Sequence, residues 1–78
     1  MSTWNLKAAL EGLTVITLSQ DDRDLAEEMI RAFDELQAVT AAPTVAKSIQ
    51  RLRKQHVNIT PAAFNAANTV VKQILETP

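Results

Sequence analysis

Residues able to do chemistry fall into three groups along this 78-residue chain. Asp21, Asp22, Asp24, Glu27 and Glu28 form an acidic run, His56 is the single histidine, and Lys47, Arg51 and Lys54 recur at spacings of four and three, with Arg53 beside them. Clustered carboxylates can hold a cation, but the run lacks the central Gly and the terminal bidentate Glu of a calcium-binding loop. It fits better as the solvated start of a helix, where negative charge complements the helix dipole. His56 could act as a general base, yet no Ser or Cys nucleophile in a recognisable motif accompanies it. Its expected role is a cation near a helix C-terminus. The chain has no Cys and one Gly, Gly12. That excludes disulfides, a cysteine metal site, a thiol nucleophile and a Gly-rich phosphate cradle. No enzyme chemistry, cofactor or metal is expected. Asn58-Ile59-Thr60 spells a glycosylation acceptor, but Pro61 follows directly and no signal sequence is evident, so the match is read as accidental.

The basic residues carry more information. Three cations along one helix face could lie along phosphates, although a solvated face opposite a core is the better account of them. No aromatic residues are interleaved with them, as single-strand binding would require. Formal net charge is −1, but it is unevenly spread. Residues 21–35 carry seven acids against Arg23 and Arg31, whereas residues 43–78 carry five cations against Glu76 alone. Such polarity can orient a partner without implying nucleic acid.

The elements that position these residues read as helices throughout, one domain over 1–78. With 46% hydrophobic and 22% charged residues, and with twelve Ala among the hydrophobic ones, the chain can build a core of modest size. Thr3 is the expected N-cap of a first helix bearing Leu6, Leu10 and Leu13 on one face. Gly12 either ends that helix in a left-handed cap or is tolerated within it. Thr14-Val15-Ile16-Thr17-Leu18 is β-branched but has no second strand to pair with, so helix continuation or an extended connector is expected. Ser19 stands three residues before Asp22 and starts a second helix running to about Ala38, with Leu25, Met29, Phe33 and Leu36 inward. Pro43 begins a third, with Val45, Ile49, Leu52 and His56 on one stripe. Thr60-Pro61 starts the last, with Phe64, Ala67, Val71, Ile74 and Leu75 inward. The expected fold is an all-α, compact bundle of four to five helices. No apolar run is long enough to span a membrane, and an intracellular location is expected.

The order of motifs resembles the TFIIS N-terminal domain family of helical bundles, which includes the integrase-binding-domain-like modules. Ala32-Phe33-Asp34-Glu35-Leu36 is similar to the family's A-L-D-E-L helix. The stretch from Val45 to Gln55 resembles its basic helix, and Ala66 to Leu75 its closing helix, with Ile74 where the family commonly has Trp. The T-x-I-G segment before the basic helix is absent, and Val39 to Thr44 is shorter than the family's middle helix requires. The resemblance implies a nuclear protein-interaction scaffold that binds short disordered peptide motifs of transcription or chromatin proteins. A ligand Phe or Leu would enter a cleft at one bundle end, built from the Leu18–Asp22 and Gln55–Ile59 loops. Asp21 or Asp22 would accept from the ligand. His56, Val57, Leu18 and Ile59 would wall the cleft, and Arg51, Arg53 and Lys54 would meet acidic ligand residues. Two alternatives are a small DNA-binding regulator using helix 44–56, and a homodimer or phage-type inhibitor burying surplus apolar surface from Trp4, Val15 and Ile16.

Overall fold

A computed structural model describes residues 4–37, 39, 47 and 58–76. Among them the order is helical throughout: α1 (Leu6–Leu13), α2 (Gln20–Gln37) and α3 (Pro61–Glu76), with no strand. The all-helical expectation holds for these residues. The helix expected over residues 44–56 lies outside them, apart from Lys47, which is helical and exposed.

Asn5 caps α1 in extended geometry, its Oδ1 accepting from Ala8 N at 3.2 Å. This corrects the assignment of the cap to Thr3. The amide side chain of Asn is as good a cap as a hydroxyl, and Asn5 sits directly before the apolar face. Gly12 does not terminate the helix: it lies inside α1, and no described glycine has positive φ. A Cβ built on Gly12 would lie 3.5 Å from Val70 Cγ1, so the small residue faces the point where α1 meets α3. Termination comes two residues later. The N–H groups of Thr14, Val15 and Ile16 donate to the carbonyls of Glu11, Gly12 and Leu13, and the Thr14 hydroxyl donates to Glu11 O at 2.6 Å. These three-residue bonds tighten the last turn and occupy carbonyls that a helix end leaves open. Thr17 and Leu18 then run as a connector, the second of the two expectations for this stretch.

Ser19 starts α2 as its spacing predicts. Its Oγ accepts from Asp22 N at 3.2 Å and its carbonyl from Arg23 N at 2.9 Å. Ala26, Met29, Ile30, Ala32, Phe33 and Leu36 are buried on one face, while the acids point outward or sit at the rim. Phe33, Met29, Ile30 and Val70 are the largest fully enclosed side chains, each worth about 1.5–3 kcal/mol of apolar burial. An eight-residue helix such as α1 is too short to persist alone in water, so its stability comes from packing on α2 and α3.

Thr60 starts α3 as expected, its Oγ1 accepting from Ala63 N at 3.2 Å. The buried stripe of α3 is Ala63, Ala66, Ala67, Val70 and Val71. That rotates the expected face. Phe64 and Ile74 are only half-buried against the core, and Leu75 is 41% exposed. Small alanines let the helix approach its neighbours closely, which places them, rather than the larger Phe64 and Leu75, at the centre of the contact.

Trp4 is not surplus surface. Its ring meets Phe33 edge-on, with centroids 4.7 Å apart and planes at 69°, and its Nε1 donates to Asp34 Oδ1 at 2.9 Å. Burying the ring body while bonding the polar N–H is the usual way a Trp is accommodated at a core margin.

Candidate functional site

The first turn of α2 is where polar chemistry concentrates. Asp22 and Arg23 are neighbours in sequence, and both are half-buried. Asp22 Oδ1 accepts from the Thr60 hydroxyl at 2.7 Å. The same oxygen of Thr60 that caps α3 therefore also donates its proton to α2, using both capabilities of a hydroxyl. Arg23 reaches the other way. Its two terminal nitrogens donate to Leu13 O and Ile16 O, each at 2.7 Å, tying α2 to the end of α1 and the connector.

The Thr60–Asp22 bond brings Asn58–Thr60 against the start of α2. Of the expected second loop, Gln55–Ile59, only Asn58 and Ile59 are described, and Asn58 lines a recess with Asp21. Leu18 and Ile59 are half-buried and pack against the core from that end. Asp21 is exposed. Beside it lies a recess of about 200 Å³ lined by Asp21, Asp24, Leu25, Glu28 and Asn58. Gln20 Nε2 donates to Asp24 Oδ1 at 2.8 Å along the exposed face of the first turn of α2. Asp22, by contrast, has one oxygen committed to Thr60, so Asp21 is the better placed of the two to accept from a ligand. Arg51, Arg53, Lys54, His56 and Val57 lie outside the described residues. Among the described residues no group of three or more acids and histidines is arranged to hold a metal ion. None of their helices is long and apolar enough to cross a membrane.

A larger recess, of about 420 Å³, lies between α1 and α2. Leu6, Leu10 and Leu13 line it from α1, Arg23 and Glu27 from α2, with Lys7, Glu11 and Thr14 completing the rim. Sequence reasoning assigned those leucines to the core and did not foresee an open groove. The available signal was the pattern of α2, which carries Arg23 and Glu27 four residues apart and so brings charge, not bulk, to a wall facing three leucines. Arg23 itself was read only as a partial offset to the acidic run. Its role as a clamp on main-chain carbonyls has no local sequence signature, because both acceptors belong to another element.

No family model, curated protein sequence or solved structure matches the chain.

Proposed function

We propose that the chain is a non-enzymatic protein-interaction module that binds short disordered peptide segments at the end of the bundle where α2 and α3 begin. The observation that carries this reading is the Thr60–Asp22 hydrogen bond, which fixes the two segments side by side next to the acid-lined recess. In this reading a ligand Phe or Leu rests on Leu25, Leu18 and Ile59, and Asp21 accepts from a ligand amide or cation. In this reading the bundle has four to five helices, and Arg51, Arg53 and Lys54, which lie outside the described residues, meet acidic ligand residues, with His56 and Val57 as cleft wall. The resemblance to the TFIIS N-terminal domain supports partners among transcription or chromatin proteins and a nuclear location.

Chemical-shift mapping with acidic peptides containing Phe tests the site. Binding is expected to move the amides of residues 18–22 and 58–60, and Asp21→Lys is expected to change the affinity without changing the melting temperature. Perturbations absent from both segments would sink the proposal. A duplex-DNA titration with a steep salt dependence, in place of peptide binding, would transfer the function to the basic helix.

A further inference from the structure

An eight-residue helix does not hold its shape alone in water, so α1 is folded only while it is docked. Its docking is thin in the middle. Of the twelve buried residues in the described core cluster, Ala9 and Leu13 belong to α1, and the other ten lie on α2 and α3. Lys7, Ala8 and Glu11 are exposed. Leu6 and Leu10 are half-buried beside the recess of about 420 Å³, which stands between α1 and α2 where packed side chains would otherwise be. Toward α3, Gly12 brings no side chain to Val70.

Polar bonds close the two ends instead. At the start, Trp4 Nε1 donates to Asp34 Oδ1 at 2.9 Å, with the ring edge-on to Phe33. At the finish, Arg23 donates to Leu13 O and Ile16 O, each at 2.7 Å. All three bonds join residues 4–16 to α2. The α2–α3 pair has a tie of its own, between Asp22 and Thr60, which involves no residue of α1. The chain between the two units is Thr17 and Leu18, outside any helix, and Val15 just before it is 84% exposed. An element with few buried apolar residues, joined by a short connector to a pair that keeps most of the core, is the kind that opens on its own.

We propose that residues 4–16 open as one unit, turning on Thr17 and Leu18 while α2 and α3 stay packed, and that Arg23 and the Trp4–Asp34 bond are the two latches of this motion. Opening breaks the three polar bonds together and exposes Ala9 and Leu13, leaving ten of the twelve cluster residues on helices that remain in contact. It also bares the parts of Phe33 and Val70 that meet Trp4 and Gly12. The domain then has two states, and the strength of the latches sets their populations.

Native-state hydrogen exchange of the full 78-residue chain, followed amide by amide, tests this. Relative to their unfolded rates, Leu10 to Leu13 are expected to exchange at least about tenfold more readily than Met29, Ile30, Phe33, Val70 and Val71, with a shallower dependence on low denaturant. Concerted opening couples the two ends. Arg23→Lys, which loosens the latch at the finish, should speed exchange of Leu10 to Leu13 and of the Trp4 indole N–H at the start by one common factor, about tenfold. Asp34→Ala, which removes the other latch, should likewise accelerate Leu13. Thr60→Ala weakens only the α2–α3 tie, so it should accelerate the core amides of α2 and α3 and leave those of α1 unchanged. Equal protection and equal denaturant dependence in all three helices would overturn the proposal. So would acceleration confined to the end of α1 nearest the altered residue, which is fraying, or an equal response of all three helices to Thr60→Ala. The bundle-end recess includes no residue of 4–16, so the two readings fail separately.

Discussion

Two joints hold the described helices together, and they are built on adjacent residues in opposite ways. At the α1–α2 joint a cation, Arg23, reaches out of α2 and donates to two main-chain carbonyls of the segment before it. At the α2–α3 joint a carboxylate, Asp22, accepts from a single hydroxyl of the segment after it. Consecutive residues on a helix point about 100° apart. One turn of α2 can therefore serve both neighbours without competition between its side chains. The difference lies in what each joint satisfies. Arg23 bonds helix-end and connector carbonyls, one of them on a buried residue, whereas Thr60 would keep its capping role even without Asp22. The first joint supplies a donor to the Ile16 carbonyl and a second donor to that of Leu13, whereas the second orients an element that is already capped.

Removing the guanidinium should therefore be the more damaging change. Arg23→Ala leaves the carbonyls of Leu13 and Ile16 without this donor and strips part of the groove wall. A half-buried charged hydrogen bond contributes about 1.5–3 kcal/mol, and the two share one side chain, so a loss of about 2–4 kcal/mol is expected. For a domain of this size that is a fall in melting temperature of roughly 10–25 °C. Arg23→Lys should recover only part of it, because an ammonium lacks the fork that spans two acceptors. Equal melting temperatures for the Lys and wild-type chains would show that charge, and not the bidentate geometry, holds this joint.

At the second joint the expected effects are smaller and separable. Thr60→Ala removes both the cap on Ala63 N and the proton given to Asp22, and should cost about 1–2 kcal/mol. Asp22→Asn keeps an acceptor for the hydroxyl and should cost well under half as much. Thr60→Ser should be close to wild type. A double-mutant cycle between positions 22 and 60 isolates the tie itself. A coupling indistinguishable from zero would mean that capping alone starts α3, and it would remove the support for the bundle-end site.

The contrast also marks how far the sequence could be read. Ser19 and Thr60 announced their helices because a cap is local: the residue that bonds and the amide it bonds are three positions apart. The buried face of α2 was legible for the same reason, since Met29, Phe33 and Leu36 repeat on one side. Arg23 and Asp22 were legible only as charges. Their partners lie ten, seven and thirty-eight residues away, and only the packed arrangement selects them. Trp4 is the same case, with its acceptor Asp34 thirty residues distant. The rotated face of α3 has another cause. A helix rich in Ala offers several faces of similar hydrophobicity, and close packing chooses the one with the smallest side chains. At the expected bundle end, Asp22 bonds Thr60 and Asp21 lines a recess with Asn58, while Leu18 and Ile59 each pack against the core. The groove between α1 and α2 stayed hidden, because leucines at helical spacing look identical whether a neighbour fills the space beside them or leaves it open.

The smallest expected effect has the opposite sign and tests the third contact, between α1 and α3. Gly12 sits in the last turn of α1 without a positive φ, where glycine costs up to about 1 kcal/mol relative to alanine. Close approach to Val70 would justify that cost only if a methyl group could not be housed. The Cβ position lies 3.5 Å and 3.9 Å from the two Val70 methyls, which is ordinary van der Waals contact. Gly12→Ala should therefore stabilise the chain by about 0.5–1 kcal/mol, a rise of a few degrees in melting temperature. The substitution leaves both joints and the groove-lining side chains unchanged, so peptide binding at the bundle end should be unaltered. A fall in melting temperature would instead show that the contact between α1 and α3 at Val70 is tighter than these distances allow for. The glycine would then be required by the packing of the first helix and not merely tolerated there.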